Sequence, residues 1–172
     1  MNSMDTRHFQ GKDMAMYDFN ADDVFEMAEQ LEQNGGKFYR TAMEKVDDEE
    51  NRKLLKMLAE MEDTHEKTFA AMRAELTAAD KISTVFDPAD ESFLYLRALV
   101  DTRVFFEKEI DVHSTREILR SAIQAEKDAI VFFLGMKDAV PTNKGKGQIE
   151  AIIKEEMEHI RLLGARLTRL KK

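Results

Sequence analysis

The sequence predicts an all-α protein: an antiparallel four-helix bundle whose two halves are joined by one long crossover. Three observations lead there. Gly (7) and Pro (2) are scarce, and the abundant Ala, Leu, Met, Glu, Lys and Arg lose little on entering a helix. Four stretches repeat apolar residues at steps of three and four. The links between those stretches run short, long, short, which pairs them as two helical hairpins.

Each element has its own signals. Residues 1–20 show no clear periodicity and are expected to form an N-terminal arm; residues 21–172 are expected to form a single bundle domain. The first helix should start near Asn20, a good N-cap, with Asp22 and Asp23 in its first turn. Its stripe is Phe25, Ala28, Glu32, Gly35, Tyr39, Ala42 and Val46. After a turn at Val46–Asp48, Asp47 and Glu50 stand at capping-box spacing. The second helix is expected to run to about Ala78, with the stripe Leu55, Leu58, Glu62, His65, Phe69, Met72 and Leu76.

The segment from Ala79 to His113 is too long for a bare loop. Asp87–Pro88 resembles an N-cap followed by Pro in the first turn, and Phe93, Leu96, Leu99, Val100, Val104 and Phe105 follow at helical spacing. A shorter extra helix inside the crossover is the expectation. It is apolar on more than one side, which suggests a homodimer packed through it. The third long helix should begin at Ser114, with Glu117 completing a capping box, and end before Pro141. Its stripe is Leu119, Ala122, Glu126, Ile130 and Phe133. The fourth begins around Asn143 to Gly147 and carries Ile149, Ile152, Glu156, His159 and Leu163.

Composition bounds the function. The formal charge is −8, which argues against nucleic acid or anionic membrane as the main partner. The absence of Cys excludes disulfides, thiolate metal sites and thiol catalysis. No apolar run reaches the ~18 residues of a membrane span, and Met1 to Asn20 lacks the apolar core of a signal peptide. A cytoplasmic protein is expected.

The chemistry is written in polar residues placed on apolar stripes. Glu32 is followed by Glu62 after 30 residues and by His65 after 33; Glu126 is followed by Glu156 and His159 at the same separations. This is an internal repeat. A Glu and a His three apart share one helix face, so both can reach a metal while the Glu reaches a second. A Glu from each neighbouring helix closes the other side. Six ligands from four helices can hold two metals about 3.5–4 Å apart. Four carboxylates in an apolar core would repel, and each would cost several kcal/mol to desolvate; without cations they would have to take up protons. Imidazole and carboxylate donors suit iron, with manganese or zinc as alternatives. A single Glu-x-x-His pair is ordinary helix surface; two pairs and two lone Glu, all on apolar stripes with equal separations, are not. His8 and His113 lie off this pattern and are read as ordinary residues.

LEQNGGKFYRTA around Glu32, LAEMEDTHEKTF around Glu62 and His65, IQAEKDAIVFF around Glu126, and IIKEEMEHIRLL around Glu156 and His159 resemble the rubrerythrin branch of the ferritin-like superfamily over about residues 21–168. The resemblance implies a ferritin-like bundle, a di-iron centre on the six residues named, and a role behind the ligands for Tyr39, seven residues after the first of them. It also implies reaction with peroxide or dioxygen, commonly in a dimer. Three departures stand out. Rubrerythrins usually add a rubredoxin domain with four Cys, whereas this sequence has none, so a separate electron donor or ferrous iron is expected to supply electrons. The additional Glu one turn after the third-helix ligand is Ala129 here, which counts against ligand exchange of the rubrerythrin type. A Tyr often found near Phe133 and Leu134 is missing as well. The centre is more similar to the six-ligand site of bacterioferritin-type proteins. The expected function is therefore a peroxide reductase or ferroxidase, with non-catalytic iron binding or handling as the alternative.

Overall fold

The computed structural model describes residues 21–78, 114–140 and 143–170. The expected arm over residues 1–20, the crossover helix with Phe93 to Phe105, His8, His113 and the dimer contact drawn on that helix all lie outside the described residues. Those residues form four long helices: α1 (Ala21–Met43), α2 (Glu49–Ala74), α3 (Thr115–Ala139) and α4 (Asn143–Arg169). At 23 to 27 residues, each is about 35–40 Å long. None is long and apolar enough to cross a membrane.

The helix starts follow capping chemistry. Ser114 is extended, and its hydroxyl accepts the Glu117 N–H at 3.2 Å, as the capping box predicts. At α2 the cap sits one residue later than expected. Asp48, not Asp47, takes the extended conformation and accepts the Asn51 N–H at 2.8 Å. The first helix ends at Met43, short of Val46, so the link runs over residues 44–48, with Val46 in it almost fully buried. The far end of α2 also differs: the helix stops at Ala74, short of Ala78, and Leu76 beyond it is half-buried.

The helices pack α1 on α2, α3 on α4, α1 on α3 and α2 on α4, so α1 and α4 face each other across a diagonal. The core is two apolar slabs. One joins the start of α1 (Phe25, Ala28), the end of α2 (Phe69, Met72), the end of α3 (Phe133, Met136) and the start of α4 (Ile149, Ile152). The other joins the end of α1 (Tyr39, Ala42), the start of α2 (Leu55, Leu58), the start of α3 (Leu119, Ala122) and Leu163 near the end of α4. Hence α2 finishes at one end of the bundle and α3 starts at the other, which is the one-crossover topology expected from the sequence. On α3 the fully buried residue beside the site is Ala129, at 5 % exposure, while Ile130 is only partly buried. The α3 stripe is thus rotated slightly from the spacing first read.

Three phenylalanines lock the first slab. Phe69 of α2 stands 6.5 Å from Phe25 of α1 and 5.1 Å from Phe133 of α3, with tilted rings, a favourable aromatic arrangement. Ion clusters tie the helices at either end. Arg73 of α2 reaches Asp22 and Glu26 of α1, each at 2.9 Å. Arg166 of α4 reaches Asp48, Glu50 and the buried Asn51 at the start of α2, which confirms that α2 and α4 run antiparallel. Such ion pairs contribute little individually; the Arg73 cluster ties α1 to α2 within the first hairpin, and the Arg166 cluster ties the second hairpin to the first.

Gly164 lies within α4, and a Cβ added there meets nothing within 4 Å. Its cost to the helix is thus uncompensated. Gly164→Ala should stabilise the protein by about 1 kcal/mol in urea unfolding; a loss of stability would show that the glycine serves a contact absent from the described residues.

Candidate metal centre

Between the two slabs lies a polar layer. Glu32 comes from α1, Glu62 and His65 from α2, Glu126 from α3, and Glu156 and His159 from α4. All six are buried, none more than 3 % exposed. The helical pitch explains the placement: each lies one turn from apolar neighbours on the same stripe, so folding the stripe inward carries the carboxylates with it.

The six converge as two overlapping groups. Glu32, Glu62, His65 and Glu156 form one; Glu62, Glu126, Glu156 and His159 form the other, and in each group the candidate ligand atoms all lie within 4.8 Å of one another. Glu62 and Glu156 belong to both and stand where bridging carboxylates would. Both Glu156 oxygens are engaged: Oε1 is 2.9 Å from His65 Nδ1 and Oε2 is 2.9 Å from His159 Nδ1. Glu62 is held more loosely, with Oε1 3.6 Å from His159 Nδ1 and Oε2 3.9 Å from His65 Nδ1. The imidazoles stack with centroids 5.8 Å apart, and both Nδ1 atoms face the carboxylates.

Three neighbours support the cluster. The Tyr39 hydroxyl donates to Glu126 Oε1. His65 Nε2 lies 2.9 Å from Oε2 of Glu155, whose side chain is half exposed. Gly35 of α1 backs onto the Glu62 carboxylate. The sequence reading found Tyr39 but missed Glu155 and the part played by Gly35. The Glu155–Glu156 doublet was a usable signal, because a carboxylate beside a ligand-type Glu can reach the outer nitrogen of a histidine on the next helix. Among the described residues His159 has no equivalent support. Position 61, the repeat partner of Glu155, is Met61, and His159 Nε2 is buried without a hydrogen-bond partner.

The electrostatics are those of a cluster that needs cations. Both Glu32 oxygens, both Glu156 oxygens, Glu62 Oε1, both Nδ1 atoms and His159 Nε2 are buried without an aligned hydrogen-bond partner, a dense set of orphans for a native core. Burial pushes Glu32 and Glu62 well above the usual carboxylate range; contact with Glu32 raises Glu62 further, while the same contact lowers Glu32 and the charges of Glu156 and Glu126 raise it. Burial, then the charge of Glu156, lifts Glu126 to about 8. Burial also opposes the charged forms of Glu156, His65 and His159, yet their mutual contacts outweigh it. Glu156 is held below its ordinary range by the two imidazoles; His65 rises to about 9 and His159 to about 10. Protons therefore stand in for cations in the bare cluster. Orphaned oxygen and nitrogen donors in two overlapping sets of four fit a pair of metal ions with carboxylate and imidazole preference.

Comparison with known proteins agrees with this geometry. The rubrerythrin family model matches residues 3–73, which hold Glu32, Tyr39, Glu62 and His65. A candidate ferritin-like diiron-carboxylate protein of Thermotoga maritima, known from its crystal structure, superposes with a TM-score of 0.66 at 24 % identity, covering 89 % of this chain and 97 % of that one. Residues 3–73 are thus similar to rubrerythrin, and the fold of the described residues is ferritin-like. No curated protein sequence matches the chain. The second hairpin, outside the matched residues, repeats the polar pattern of the first at a shift of 94 positions.

The raised groups fix the sign of a pH effect. Glu126, His65 and His159 keep protons in the folded metal-free chain at pH values where the unfolded chain has released them. Their stabilising contribution is complete below about pH 4.5, the ordinary Glu value, and is lost as pH climbs through 8 to 10. Groups held low, such as Glu156, act only on the acid side. The metal-free protein should therefore melt at lower temperature at pH 9 than at pH 6 by calorimetry, and metal should remove most of that slope by replacing the protons. A melting temperature that climbs over this range without metal would contradict the protonated-cluster picture.

Proposed function

We propose that the chain is a di-iron carboxylate protein that reduces peroxide or dioxygen, of the peroxide-reductase or ferroxidase type. The observation that carries this reading is the convergence of four buried carboxylates and two imidazoles as two overlapping groups that share Glu62 and Glu156. The rubrerythrin likeness supports the choice of iron and of an oxygen-derived oxidant.

Glu32 and His65 would serve one ion, Glu126 and His159 the other, with Glu62 and Glu156 between them. Two bound irons supply one electron each, enough for the two-electron reduction of a peroxide. The remaining work belongs to the protein. Glu155 accepts the Nε2–H of His65, which leaves Nδ1 as the lone-pair donor facing the centre. Burial keeps the Tyr39 hydroxyl protonated, so it remains a donor that orients Glu126. The slabs above and below, Phe69 and Phe133 on one side and Leu58 and Leu119 on the other, exclude bulk water from the reacting groups. A separate donor protein or fresh ferrous iron would supply the electrons.

The test is anaerobic titration with Fe(II) followed by peroxide. Uptake of two irons per chain and a rapid ferric absorbance are expected, and Glu62→Ala with His65→Ala should abolish both. Failure to take up iron would end the proposal. Oxidation that stops after one equivalent even with reductant supplied would point instead to iron handling without turnover.

Tyr39→Phe removes one hydroxyl from beside Glu126 and leaves the six ligands in place. It should still bind two metals, with affinity or oxidation rate reduced roughly 10- to 100-fold. Unchanged iron affinity and stopped-flow rates would reduce Tyr39 to a packing residue.

A further inference from the structure

We propose that Glu66 and Glu155 make the two ion positions unequal, so that the Glu32–His65 position fills first and more tightly and the Glu126–His159 position is the exchangeable one. The inference rests on the two-metal reading of the centre.

The six ligands repeat between the hairpins, so a preference between the positions must come from their surroundings. Two further carboxylates flank the first position. Glu155 Oε2 lies 2.9 Å from His65 Nε2. Glu66 follows His65 in the chain, and its Oε1 accepts a 2.7 Å hydrogen bond from Gln33, which follows Glu32. That bond spans α1 and α2 and fixes the Glu66 carboxylate at the seam beside the Glu32–His65 pair, close enough for its charge to act on Glu32. Gln33 is neutral, so the bond orients Glu66 without cancelling its charge.

Each of these groups is replaced in the repeat. At a shift of 94 positions Glu66 becomes the half-buried Ile160, and Gln33 becomes the exposed Lys127. Glu155 corresponds to Met61, and His159 Nε2 is buried without a hydrogen-bond partner. Glu158 does stand next to His159 in the chain, but its two oxygens engage the Arg161 guanidinium, which offsets its charge. The surroundings of the first position thus add two carboxylates, and those of the second add a lysine and a carboxylate already paired with arginine.

Both differences act in one direction. A nearby negative charge favours a dication. A carboxylate on the outer nitrogen of a histidine fixes the ring and raises the basicity of the nitrogen that faces the ion. Glu66 and Glu155 are partly exposed, so salt screens part of their effect without reversing it. Neither is one of the six ligands; both act through Glu32 and His65 and are positioning residues.

The experiment uses the full chain, stripped of metal and loaded with Co(II). In wild-type crystals supplied with one Co(II) per chain, anomalous scattering should place most of the ion at the Glu32–His65 position; with two, both positions should fill. Calorimetric titration should resolve two steps, the first tighter by about tenfold or more. Glu66→Gln combined with Glu155→Gln should weaken the first step by about tenfold or more and bring the two steps together, with the melting temperature of the metal-free form showing that the variant is folded. A first ion at the Glu126–His159 position, or equal occupancy of the two, would overturn the inference while leaving the two-metal reading intact. A folded double variant whose first step matches that of the wild type would overturn it as well. Fewer than two Co(II) on the wild type would overturn the two-metal reading, and the inference with it.

Discussion

The fold is organised around a layer of charge-bearing side chains placed where charge is least welcome. Four carboxylates and two imidazoles lie between two apolar slabs, each residue almost fully removed from water. Desolvating an isolated ion costs several kcal/mol even after the protein relaxes, so the layer is tolerable only when positive charge sits inside it. Protons on His65, His159 and the raised carboxylates provide that charge in the bare chain; a pair of metal ions provides it more fully. The apolar slabs, the phenylalanine contacts and the terminal Arg73 and Arg166 clusters offset the cost from either side. A core with a purely apolar centre would be easier to stabilise and would have nothing to coordinate with.

The two hairpins were largely legible because the ligand pattern obeys the same period as the core pattern. Glu32, Glu62, Glu126 and Glu156 could be located because each interrupts a stripe of residues that must face inward, and the equal separations in the halves made coincidence a poor explanation. Ser114 declared its helix start through its own side chain. Other features were hidden because they depend on partners distant in sequence. Glu155 looks like one more surface carboxylate on an acidic helix until α4 is laid beside α2 and its oxygen meets His65. The cap fell on Asp48 rather than Asp47 because adjacent aspartates offer the same capping chemistry, and local rules place a helix start only to within a residue or two. The exchange of Ile130 for Ala129 as the buried residue comes from the rotation of α3 about its axis, which stripe counting resolves only to about one residue.

Repetition with selective departure is the more informative level. The halves share their ligands, yet differ at three positions that touch those ligands. Tyr39 donates to Glu126, and its partner in the repeat is Phe133, which has no hydroxyl to offer. Glu155 supports His65, and its partner is Met61. Gly35 backs onto Glu62, and its partner is Ala129. These three differences touch the ligands themselves, where they change hydrogen bonding and packing without altering the ligand count.

These departures also set the direction of the asymmetry. On one side Glu126 is fixed by a tyrosine and His159 has a bare outer nitrogen. On the other His65 is fixed by a carboxylate that reaches solvent, while both oxygens of Glu32 lack an aligned partner. An oriented imidazole with a freer carboxylate faces a freer imidazole with an oriented carboxylate, so each ion position would combine one rigid and one adaptable terminal ligand. Between them, Glu156 is held by both histidines and Glu62 by neither closely. Rigidity is thus spread over the cluster rather than concentrated in one metal position. That suits a centre that must keep two ions at a working distance while their shared coordination changes, because movement at one ligand need not release either ion.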